Sequence, residues 1–555
     1  MIFTKERNMQ IFSFSPFGYE GSLVTVEVDL RRGIPAIDIV GLADGAVKES
    51  RERMRAAIKN SGFDFPPERV LISLSPADMK KEGAGFDLAV ALAVLEARDG
   101  GGCYTKNAQN AADCSTCGDV LCSAVVSADD VLVMGELELS GNVRSVRAVH
   151  AAASTAAAAG IMRCIVPAAD ADEAREVAGM TAYGADSLES AFNALSRPEL
   201  FTERSESAEN AFVPAGCTET GGVLFPSVSA GYEFADIAGQ QFLVRGLQIA
   251  AAGGHNLLAV GAPGCGKTMA LQRFPALLPL LTVEEAQPVT RIYSLAGLMP
   301  PQEPLIRIAP FRQPHQTATI EGMCGGGPHC IPGEISLAHN GVLFLDEAAE
   351  FRSSVLQMLR VPVESGRVTL VRAGRSTVYP ASFQLLMAAN PCPCGNFGSK
   401  TKVCLCSART VELYWKKFSA PLLDRIDIRI PVENTLASSD GTSAGAGAER
   451  MTTAELRVEI ARAVSVQRRR QGCRNARLTP HEVAEYCRTM SGARRLLDAA
   501  AVRYCFSPRA VSSCLRIART IADMAGTEMI AEEHIREAVN YRKSCSSFLP
   551  EDSCG

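Results

Sequence analysis

Near the N-terminus, apolar and polar positions switch repeatedly between a strand-like period and a helix-like period. Residues 22–30 (SLVTVEVDL) alternate as in a half-buried strand, and residues 47–62 (VKESRERMRAAIKNSG) predict a charged amphipathic helix with a glycine C-cap. Further strands are predicted at residues 69–76, 131–139 and 163–167, and further helices at residues 86–97, 146–160 and 171–179. The pattern predicts a domain of mixed strands and helices, either α/β or α+β.

Farther along the chain, the apolar runs are shorter and continuous. Residues 342–345 (VLFL) and 383–389 (FQLLMAA) have the composition of strands buried on both faces of a parallel sheet. Residues 507–526 (SPRAVSSCLRIARTIADMAG) place apolar side chains at three- and four-residue spacing, with Ser507 as the predicted N-cap and Gly526 as the predicted C-cap. A parallel-sheet domain followed by a helical domain is therefore predicted.

The most specific chemical signal lies between an apolar strand and a helix, in residues 255–274 (HNLLAVGAPGCGKTMALQRF). It fits the pattern G-x-x-x-x-G-K-[ST], whose backbone N–H groups wrap phosphates while the lysine contacts the β and γ oxygens and the threonine hydroxyl binds Mg²⁺. A chance match in a glycine-rich loop is the alternative, and the strand–loop–helix context opposes it. The residues predicted to bind ATP are Gly261, Ala262, Pro263, Gly264, Cys265, Gly266, Lys267, Thr268 and Asp346.

Polar side chains follow the other two buried strands. Asp346 is expected to hold Mg²⁺ through water, and Glu347 to orient and deprotonate the attacking water. The alternative for this pair is a solvated acidic turn. Asn390 ends the next strand, where its amide is expected to polarise the same water as a sensor of the γ-phosphate.

Arg425 follows a short helix in residues 419–432 (SAPLLDRIDIRIPV). An arginine that reaches the γ-phosphate on a neighbouring subunit stabilises the charge of the transition state, and this is the role expected for Arg425. The alternative is an intrachain ion pair with Asp424 or Asp427.

Composition narrows the classes of function. Apolar residues make up 47% of the chain, but no run is long and uncharged enough to predict a membrane span. The N-terminal residues lack the pattern of a signal peptide, so a cytoplasmic protein is expected. The formal net charge is −5, so any contact with DNA must come from a local basic feature.

Of the 19 cysteines, most lie singly in apolar stretches and are expected to be buried and reduced, as for Cys164, Cys487, Cys505 and Cys514. Residues 391–406 (PCPCGNFGSKTKVCLC) instead contain two C-x-C pairs, the spacing of which suits a structural, tetrahedral Zn²⁺ site; four reduced cysteines in an ordinary loop are the alternative. The expected zinc ligands are Cys392, Cys394, Cys404 and Cys406. A second cluster comprises Cys103, Cys114, Cys117 and Cys122, in a segment with the composition of a loop. These cysteines could bind a metal, or they could lie in an ordinary loop.

The phosphate loop, the acidic pair, the sensor asparagine and the arginine occur in the order found in AAA+ ATPases, which the chain resembles. Longer stretches, such as FRQPHQTATIEGMCGGGPHCIPGEISLAHNGVLFLDE and APLLDRIDI, closely resemble the ComM/YifB family of magnesium-chelatase-like proteins, and the similarity runs from about Phe17 to Tyr541. The resemblance implies use of ATP and Mg²⁺, assembly into a homohexamer, and DNA, single-stranded or branched, as the partner, with no membrane contact.

The resemblance also implies three further sites. An insertion before the Asp346 strand is expected to point into the pore of the ring, with Arg312, His315 and the turn 325–327 in it. A hairpin with Arg372 and Arg375 at its tip is expected to grip DNA phosphates, an ordinary solvated hairpin being the alternative. Arg509, at the position of the family's lid arginine, is expected to sense nucleotide.

In residues 17–195, the order of strands and helices around KKEGAGFDLAVAL and SGNVRSVRAVHAAASTAAAAGIMRCIVP resembles that of the Lon protease domain. A peptidase of that type needs a serine nucleophile with a lysine as its base, and the matching positions here are Gly85 and His150. We therefore expect no peptidase activity and a role in scaffolding, ring assembly or partner contact.

Together these observations predict a multidomain α/β protein. Its expected parts are an inactive Lon-protease-like α+β domain (1–199, with a loop insertion at about 97–128), a linker (200–230), an AAA+ core with a parallel sheet (231–432), a flexible linker (433–450), a helical lid (451–545) and a tail (546–555).

The expected function is an ATP-hydrolysing hexameric DNA motor or helicase that promotes branch migration in homologous recombination or natural transformation. A chelatase-like motor or a regulatory remodelling ATPase without helicase activity is the alternative, and an active protease is not expected.

Overall fold

The computed structural model describes residues 9–41, 45–77, 81, 83–99, 129–203, 212–229, 231–372, 375–398, 402–433 and 450–543. Three predicted features lie outside these residues: the four cysteines of the insertion at 97–128, the centre of the linker at 200–230, and nearly all of the linker at 433–450.

The N-terminal region is built on a mixed seven-stranded sheet in the order β3-β4-β2-β1-β5-β8-β9. The β1–β2 and β2–β4 pairs are antiparallel, and the other four pairs are parallel. The strands of the region are β1 (Ile11–Ser15), β2 (Ser22–Arg31), β3 (Ile37–Val40), β4 (Arg69–Ser75), β5 (Val131–Val133), β6 (Glu136–Leu137), β7 (Val143–Arg144), β8 (Arg163–Pro167) and β9 (Thr181–Ala185). Its helices are α1 (Gly45–Asn60), α2 (Asp87–Arg98), α3 (Val149–Ala158), α4 (Ala171–Arg175) and α5 (Leu188–Leu195).

Three predicted elements in this region have wrong boundaries. The helix predicted at 171–179 ends at Arg175, and the other two differ for a local reason. The strand predicted at 131–139 divides into β5 and β6, because Gly135 turns aside to pair its backbone with Gly85 and Leu88 at the start of α2 (3.1 Å each). The helix predicted at 146–160 begins only at Val149, because Ala148 has a left-handed backbone with φ of 69°.

The central region contains a five-stranded sheet in the order β13-β16-β19-β12-β20, and every pair in it is parallel. The strand that leads into the phosphate loop, β12, therefore lies between β19 and β20. The strands of this region are β10 (Thr218–Thr220), β11 (Val223–Phe225), β12 (Leu257–Gly261), β13 (Phe311–Arg312), β14 (Gly325–Gly326), β15 (Ile331–Pro332), β16 (Val342–Leu345), β17 (Arg367–Arg372), β18 (Arg375–Pro380), β19 (Gln384–Ala389) and β20 (Ile428–Val432). Its helices are α6 (Gln241–Gly253), α7 (Lys267–Gln272), α8 (Val283–Ala296), α9 (Ile320–Cys324), α10 (Glu334–Leu337), α11 (Ser353–Met358), α12 (Arg360–Ser365), α13 (Ala408–Trp415) and α14 (Ala420–Leu423).

The C-terminal region is helical, as predicted, and packs on α6 and β20 through a core shared with the central region. The α18 helix has the predicted caps: the Ser507 hydroxyl accepts from the Ala510 N–H, and Gly526 adopts the left-handed conformation after the last turn. The helices are α15 (Thr453–Gln471), α16 (Pro480–Tyr486), α17 (Ser491–Arg503), α18 (Pro508–Ala525) and α19 (Glu532–Lys543). Among the described residues, no helix combines the length and apolar character needed to cross a membrane.

The basic run at the end of α15 contacts its neighbours: Arg470 pairs with Asp523 at 2.8 Å, and the Arg468 guanidinium donates to the Leu280 carbonyl at 3.0 Å. One expectation about a single side chain needs correction. Cys505 is exposed rather than buried, whereas Cys164, Cys487 and Cys514 are buried as expected.

The N-terminal region docks on α8 and on the β17–β18 hairpin. The Arg291 guanidinium on α8 donates to the Tyr19 carbonyl at 3.0 Å and lies 4.8 Å above the Tyr19 ring. On the hairpin, Thr377 accepts the Tyr19 N–H at 2.9 Å, and Arg375 lies 5.2 Å above the Phe17 ring. These contacts tie the start of the chain to both α8 and the hairpin.

His150 is buried at the same interface. Its Nε2 lies 2.8 Å from Gln287 Oε1 on α8, and the Gln287 amide donates in turn to the Glu176 carbonyl at 2.7 Å. Because the amide oxygen can only accept, Nε2 carries the proton of a neutral imidazole. Burial, with a smaller contribution from the positive charge of Arg291, lowers the pKa of His150 to about 4.

Acidification is expected to weaken this interface through His150. The unfolded chain binds a proton near the ordinary histidine pKa of 6.5 and the folded chain only near 4, so stability is complete above pH 6.5 and falls as the pH drops towards 4. The shift corresponds to about 3 kcal/mol at most. Melting temperatures of wild type and His150→Gln between pH 7.5 and pH 4.5 test this, and the variant should lose less stability. Equal losses in the two proteins would show that another group titrates.

Candidate nucleotide site

The loop from Gly261 to Thr268 turns from β12 into α7 at the carboxyl end of the sheet. Gly264 and Gly266 have φ of 79° and 87°, a left-handed backbone that lets successive N–H groups face one concave side. Lys267 is largely buried, and its ammonium donates to the carbonyls of Gly261 at 2.6 Å and Ala262 at 2.9 Å. Burial lowers the pKa of the ammonium.

The predicted acidic and amide residues meet at this loop. The Thr268 hydroxyl donates to Asp346 Oδ1 at 3.1 Å, so the two oxygens lie where a single Mg²⁺ can use both. Asn390 Oδ1 accepts from Lys267 Nζ at 3.2 Å. Strand pairing explains the convergence, because β16 and β19 run parallel to β12 and end at the same edge of the sheet.

Glu347 is exposed and has a left-handed backbone with φ of 47°, which is strained for a residue with a side chain. Its N–H donates to Asp346 Oδ1 at 3.0 Å, and this bond fixes the turn after β16. The turn leaves the carboxylate of Glu347 beside the phosphate loop and open to water, the arrangement needed to activate an attacking water molecule.

The two predicted arginines, Arg425 and Arg509, lie on the opposite side of the sheet, where the strands have their amino-terminal ends. The Arg425 carbonyl accepts from the side-chain amide of Asn256, the residue before β12, at 3.0 Å. From there, the five residues of β12 carry the chain about 16 Å to the phosphate loop. That distance exceeds the reach of an arginine side chain, so Arg425 does not reach the phosphate loop of its own chain.

Both arginines converge on one carboxylate that the sequence did not reveal, Glu364 on α12. Arg425 forms an ion pair with Glu364 Oε2, and Arg509 Nη1 lies 3.0 Å from Glu364 Oε1. The two guanidinium groups hold the pKa of Glu364 below its usual value. The intrachain ion pair predicted as an alternative for Arg425 therefore exists, but with Glu364 rather than Asp424 or Asp427.

This edge of the sheet opens into a cleft of about 780 Å³ between the central and helical regions. Arg425, Arg509 and Glu364 line it, together with Asn256 and Gly341, which precede β12 and β16. The phosphate loop and the arginines thus form two separate faces at opposite ends of the same strands.

The predicted hairpin is present, with strands β17 and β18 paired in register from Arg367–Pro380 to Arg372–Arg375. Arg372 is exposed at the tip, whereas Arg375 is half-buried against Phe17. The tip therefore presents one fully exposed arginine and one that is shared with the N-terminal region.

The structure corrects the predicted position of Arg312. The residue lies in β13, the edge strand of the sheet, and not in the segment between β13 and β16 that contains α9 and the small hairpin β14–β15. Its guanidinium makes a bidentate pair with Glu334, with contacts of 2.7 and 2.8 Å. Because both ends of the fork are occupied, Arg312 is placed to brace the sheet edge against α10.

The four cysteines at 392–406 are brought together. Their Sγ atoms all lie within 4.8 Å of one another, in the loop between Asn390 and α13. The predicted quartet is thus assembled by the fold beside the sensor asparagine.

A five-stranded parallel sheet with this loop, acidic pair and sensor, followed by a helical region, defines a magnesium-chelatase-like AAA+ ATPase. Residues 233–439 match the family described as magnesium chelatase, subunit ChlI, and residues 450–542 match the C-terminal part of that subunit. A further match to subunit ChlI of Mg-chelatase covers residues 26–170.

Full-length relatives narrow the class. YifB of Escherichia coli, described as uncharacterized, is 36% identical over 534 residues, covering 95% of each chain. The competence protein ComM of Haemophilus influenzae is 34% identical over 537 residues, covering 96% of this chain and 97% of its own. An uncharacterized protein of Mycobacterium tuberculosis, Rv2897c, is 36% identical over 536 residues, covering 96% and 98%. The chain belongs to the ComM/YifB family of magnesium-chelatase-like proteins, which implies the use of ATP and Mg²⁺.

Proposed function

We propose that the protein is a ring-forming ATPase that moves DNA, and that it promotes branch migration of recombining strands in the cytoplasm. The proposal of a ring rests on one observation: within a single chain, the phosphate loop lies at the carboxyl ends of the strands, whereas Arg425 and Arg509 lie at their amino-terminal ends. Such halves complete each other only when the phosphate loop of one subunit meets the arginines of the next, a head-to-tail contact that closes into a ring. From the family resemblance, we propose six subunits per ring.

Within each composite site, the residues have separate tasks. Lys267 and the loop N–H groups bind the ATP phosphates, and Thr268 and Asp346 hold Mg²⁺. Glu347 takes the proton of the attacking water, which Asn390 orients, and Arg425 from the neighbouring subunit neutralises charge on the γ-phosphate as the bond breaks. Arg509 senses the same nucleotide from the neighbouring lid.

The DNA contact rests on the β17–β18 hairpin and on the family. Arg372 extends from the hairpin tip, and six copies around a ring axis would give a positive collar despite the net charge of −5. The relative from Haemophilus influenzae is a competence protein by name, which agrees with a role in handling incoming DNA.

The N-terminal region resembles a Lon protease domain but lacks the nucleophile and the base of that protease, which is consistent with a role as a scaffold. Gly85 has no side chain to act as a nucleophile, and His150 is buried against α8 with its Nε2 committed to Gln287. We propose that this region holds α8 and the hairpin in position and does not cleave peptides.

The alternative function is a chelatase-like or regulatory remodelling ATPase without helicase activity, which is favoured by the family matches to subunit ChlI. The two candidates differ in their response to DNA. ATP hydrolysis by the DNA motor should rise with branched or single-stranded DNA, whereas hydrolysis by a chelatase-like ATPase should not.

Substituting the hairpin tip tests the DNA contact. ATPase rates are measured without DNA and with single-stranded, double-stranded and four-way-junction DNA, alongside junction unwinding. We expect Arg372→Ala to keep the DNA-independent rate and to lose most of the stimulation, because a single phosphate contact is repeated around the ring. Arg375→Ala should behave similarly and should also weaken the contact between the hairpin and the N-terminal region, because Arg375 packs on the Phe17 ring.

A matched control is Arg367→Ala, which removes the same charge from the exposed base of the same hairpin. Stimulation should persist in this variant. Equal losses in Arg367→Ala and Arg372→Ala would assign the effect to net charge, and wild-type protein that hydrolyses ATP without responding to any DNA would favour the alternative function.

A further inference from the structure

We propose that Cys392, Cys394, Cys404 and Cys406 bind one Zn²⁺ ion, and that the metal-bound loop supports the phosphate loop by packing against Pro263. None of the four cysteines is one of the catalytic residues. The proposed zinc binding rests on the geometry of the four thiols, and the proposed support of the phosphate loop rests on the contact between the two loops.

The spacing of the sulfur atoms fits a single tetrahedral ion. Zinc bonds to thiolates are about 2.3 Å long, so a tetrahedral site holds its sulfurs about 3.8 Å apart. Cys392 Sγ lies 3.3 Å from Cys394 Sγ and 3.7 Å from Cys404 Sγ, the last two lie 3.6 Å apart, and all four fall within 4.8 Å of one another. No chain element other than this loop is needed to complete the set.

The surroundings of the cluster also suit bound thiolates. The Phe397 N–H donates to Cys392 Sγ at 3.3 Å, a contact that stabilises negative charge on a metal-bound sulfur. Cys392 is fully buried in the core that also contains Trp415, whose indole N–H donates to the Pro391 carbonyl at 3.0 Å. Cys392 is therefore anchored in the core, Cys404 and Cys406 pack against that core, and Cys394 is exposed.

Alternative uses of the four cysteines fit less well. All four thiols are free, so none of them is committed to a disulfide. A cluster of several metal ions would hold its ligands farther apart than one ion does. All four positions of a tetrahedral ion would be filled by protein, so the metal is structural and carries no reactive water.

The loop touches the phosphate loop directly. A Cβ atom on Gly395, the residue after Cys394, would lie 2.3 Å from Pro263 Cδ and 2.6 Å from Pro263 Cγ. Only a glycine allows the Gly395 backbone to approach the Pro263 ring this closely. Pro263 precedes Gly264, one of the two left-handed glycines of the phosphate loop, so the cysteine loop limits how far that turn can open.

Metal content tests the first part of the proposal. Full-length protein purified without chelator should contain one zinc per chain, measured by elemental analysis. Cys394→Ser/Cys404→Ser should lose it, whereas Cys473→Ser/Cys505→Ser, which removes two cysteines elsewhere, should keep it. Cys117→Ser/Cys122→Ser must also keep it, because loss there would assign the zinc to the insertion and overturn the proposal. Wild-type protein without zinc would do the same.

Two measurements on wild-type protein avoid dependence on variants that fail to fold. Cobalt exchanged for zinc should show the thiolate-to-metal charge transfer and ligand-field absorption of a tetrahedral sulfur site. Trp415 is the single tryptophan of the chain and adjoins the cysteine loop, so removal of zinc should change its fluorescence. A cobalt spectrum without thiolate bands would overturn the assignment.

Nucleotide affinity tests the second part, which rests on the proposed ATP binding. Binding of a fluorescent ATP analogue should weaken about tenfold or more in the zinc-free double variant, because the phosphate loop loses its support. Unchanged affinity in a folded, zinc-free protein would overturn the support role and leave the metal site standing. If wild type binds no ATP analogue but retains one zinc, the proposed function fails and the metal assignment does not.

Discussion

Lys267→Ala is expected to reduce ATP hydrolysis by at least about 10²- to 10³-fold, the cost of removing one donor from a preorganised charge-stabilising site. In the folded protein, Lys267 is held by the carbonyls of Gly261 and Ala262 and by Asn390, all within 3.2 Å, so its ammonium is already positioned for the β and γ phosphates. Steady-state assays measure the loss of ATP hydrolysis, and titration with a fluorescent ATP analogue measures the loss of nucleotide binding. We expect this variant to lose both.

Glu347→Gln separates binding from chemistry at the same site. The amide keeps the size of the side chain but cannot accept the proton of the attacking water, so this variant should bind ATP with nearly wild-type affinity and hydrolyse it at least about a hundredfold more slowly. If Lys267→Ala hydrolysed ATP at the wild-type rate, the phosphate loop identified here would not be the site of hydrolysis.

Arg425→Ala is expected to lower the ATPase rate about a thousandfold, within the range measured for arginines supplied to phosphoryl transfer. The sharper prediction is complementation, because Arg425 and Lys267 lie at opposite edges of the sheet and should serve different sites. Mixing inactive Arg425→Ala subunits with inactive Lys267→Ala subunits should restore activity, since about a quarter of the head-to-tail interfaces would then contain both intact residues.

Mixing the Lys267→Ala and Glu347→Gln variants provides the control. Both residues lie at the same edge of the sheet, so no interface in the mixture contains a complete site and activity should stay absent. Particle-mass measurements must show mixed assemblies in both experiments. If mixed assemblies of Arg425→Ala and Lys267→Ala form but remain inactive, the arrangement in which one subunit serves its neighbour is wrong.

The strand and loop positions were largely predictable because each depends on residues close in sequence. The phosphate loop, Asp346 and Asn390 follow strands whose apolar runs predict burial in a parallel sheet, and parallel strands deliver their ends to one edge. The caps of α18 were predictable for the same reason, since Ser507 and Gly526 act on the adjacent turns. The misplaced ends of β5 and α3 arose from a contact with α2 and from one left-handed residue, neither of which leaves a local pattern.

Ion-pair partners were not predictable, because they depend on how separate elements pack. Arg425 pairs with a glutamate 61 positions away, and Arg470 with an aspartate 53 positions away. Arg312 was assigned to the inserted segment from resemblance alone, whereas strand pairing places it in the sheet, and Glu334 is its partner. Glu364 itself has no sequence signal, since an exposed glutamate on a short helix is ordinary.

The Glu364 contact has a thermodynamic consequence for assembly. In the single chain, Glu364 pairs with both arginines and Asp424 lies 3.9 Å from Arg509, whereas in a ring the same arginines would face a triphosphate of higher negative charge. Exchange of the weaker counterion for the stronger one favours the assembled state only when nucleotide is bound. Reciprocity then requires that subunit association tighten nucleotide binding by the same factor by which nucleotide tightens association. Glu364 would thus act as an internal competitor, and Glu364→Gln should allow subunits to associate at a lower nucleotide concentration.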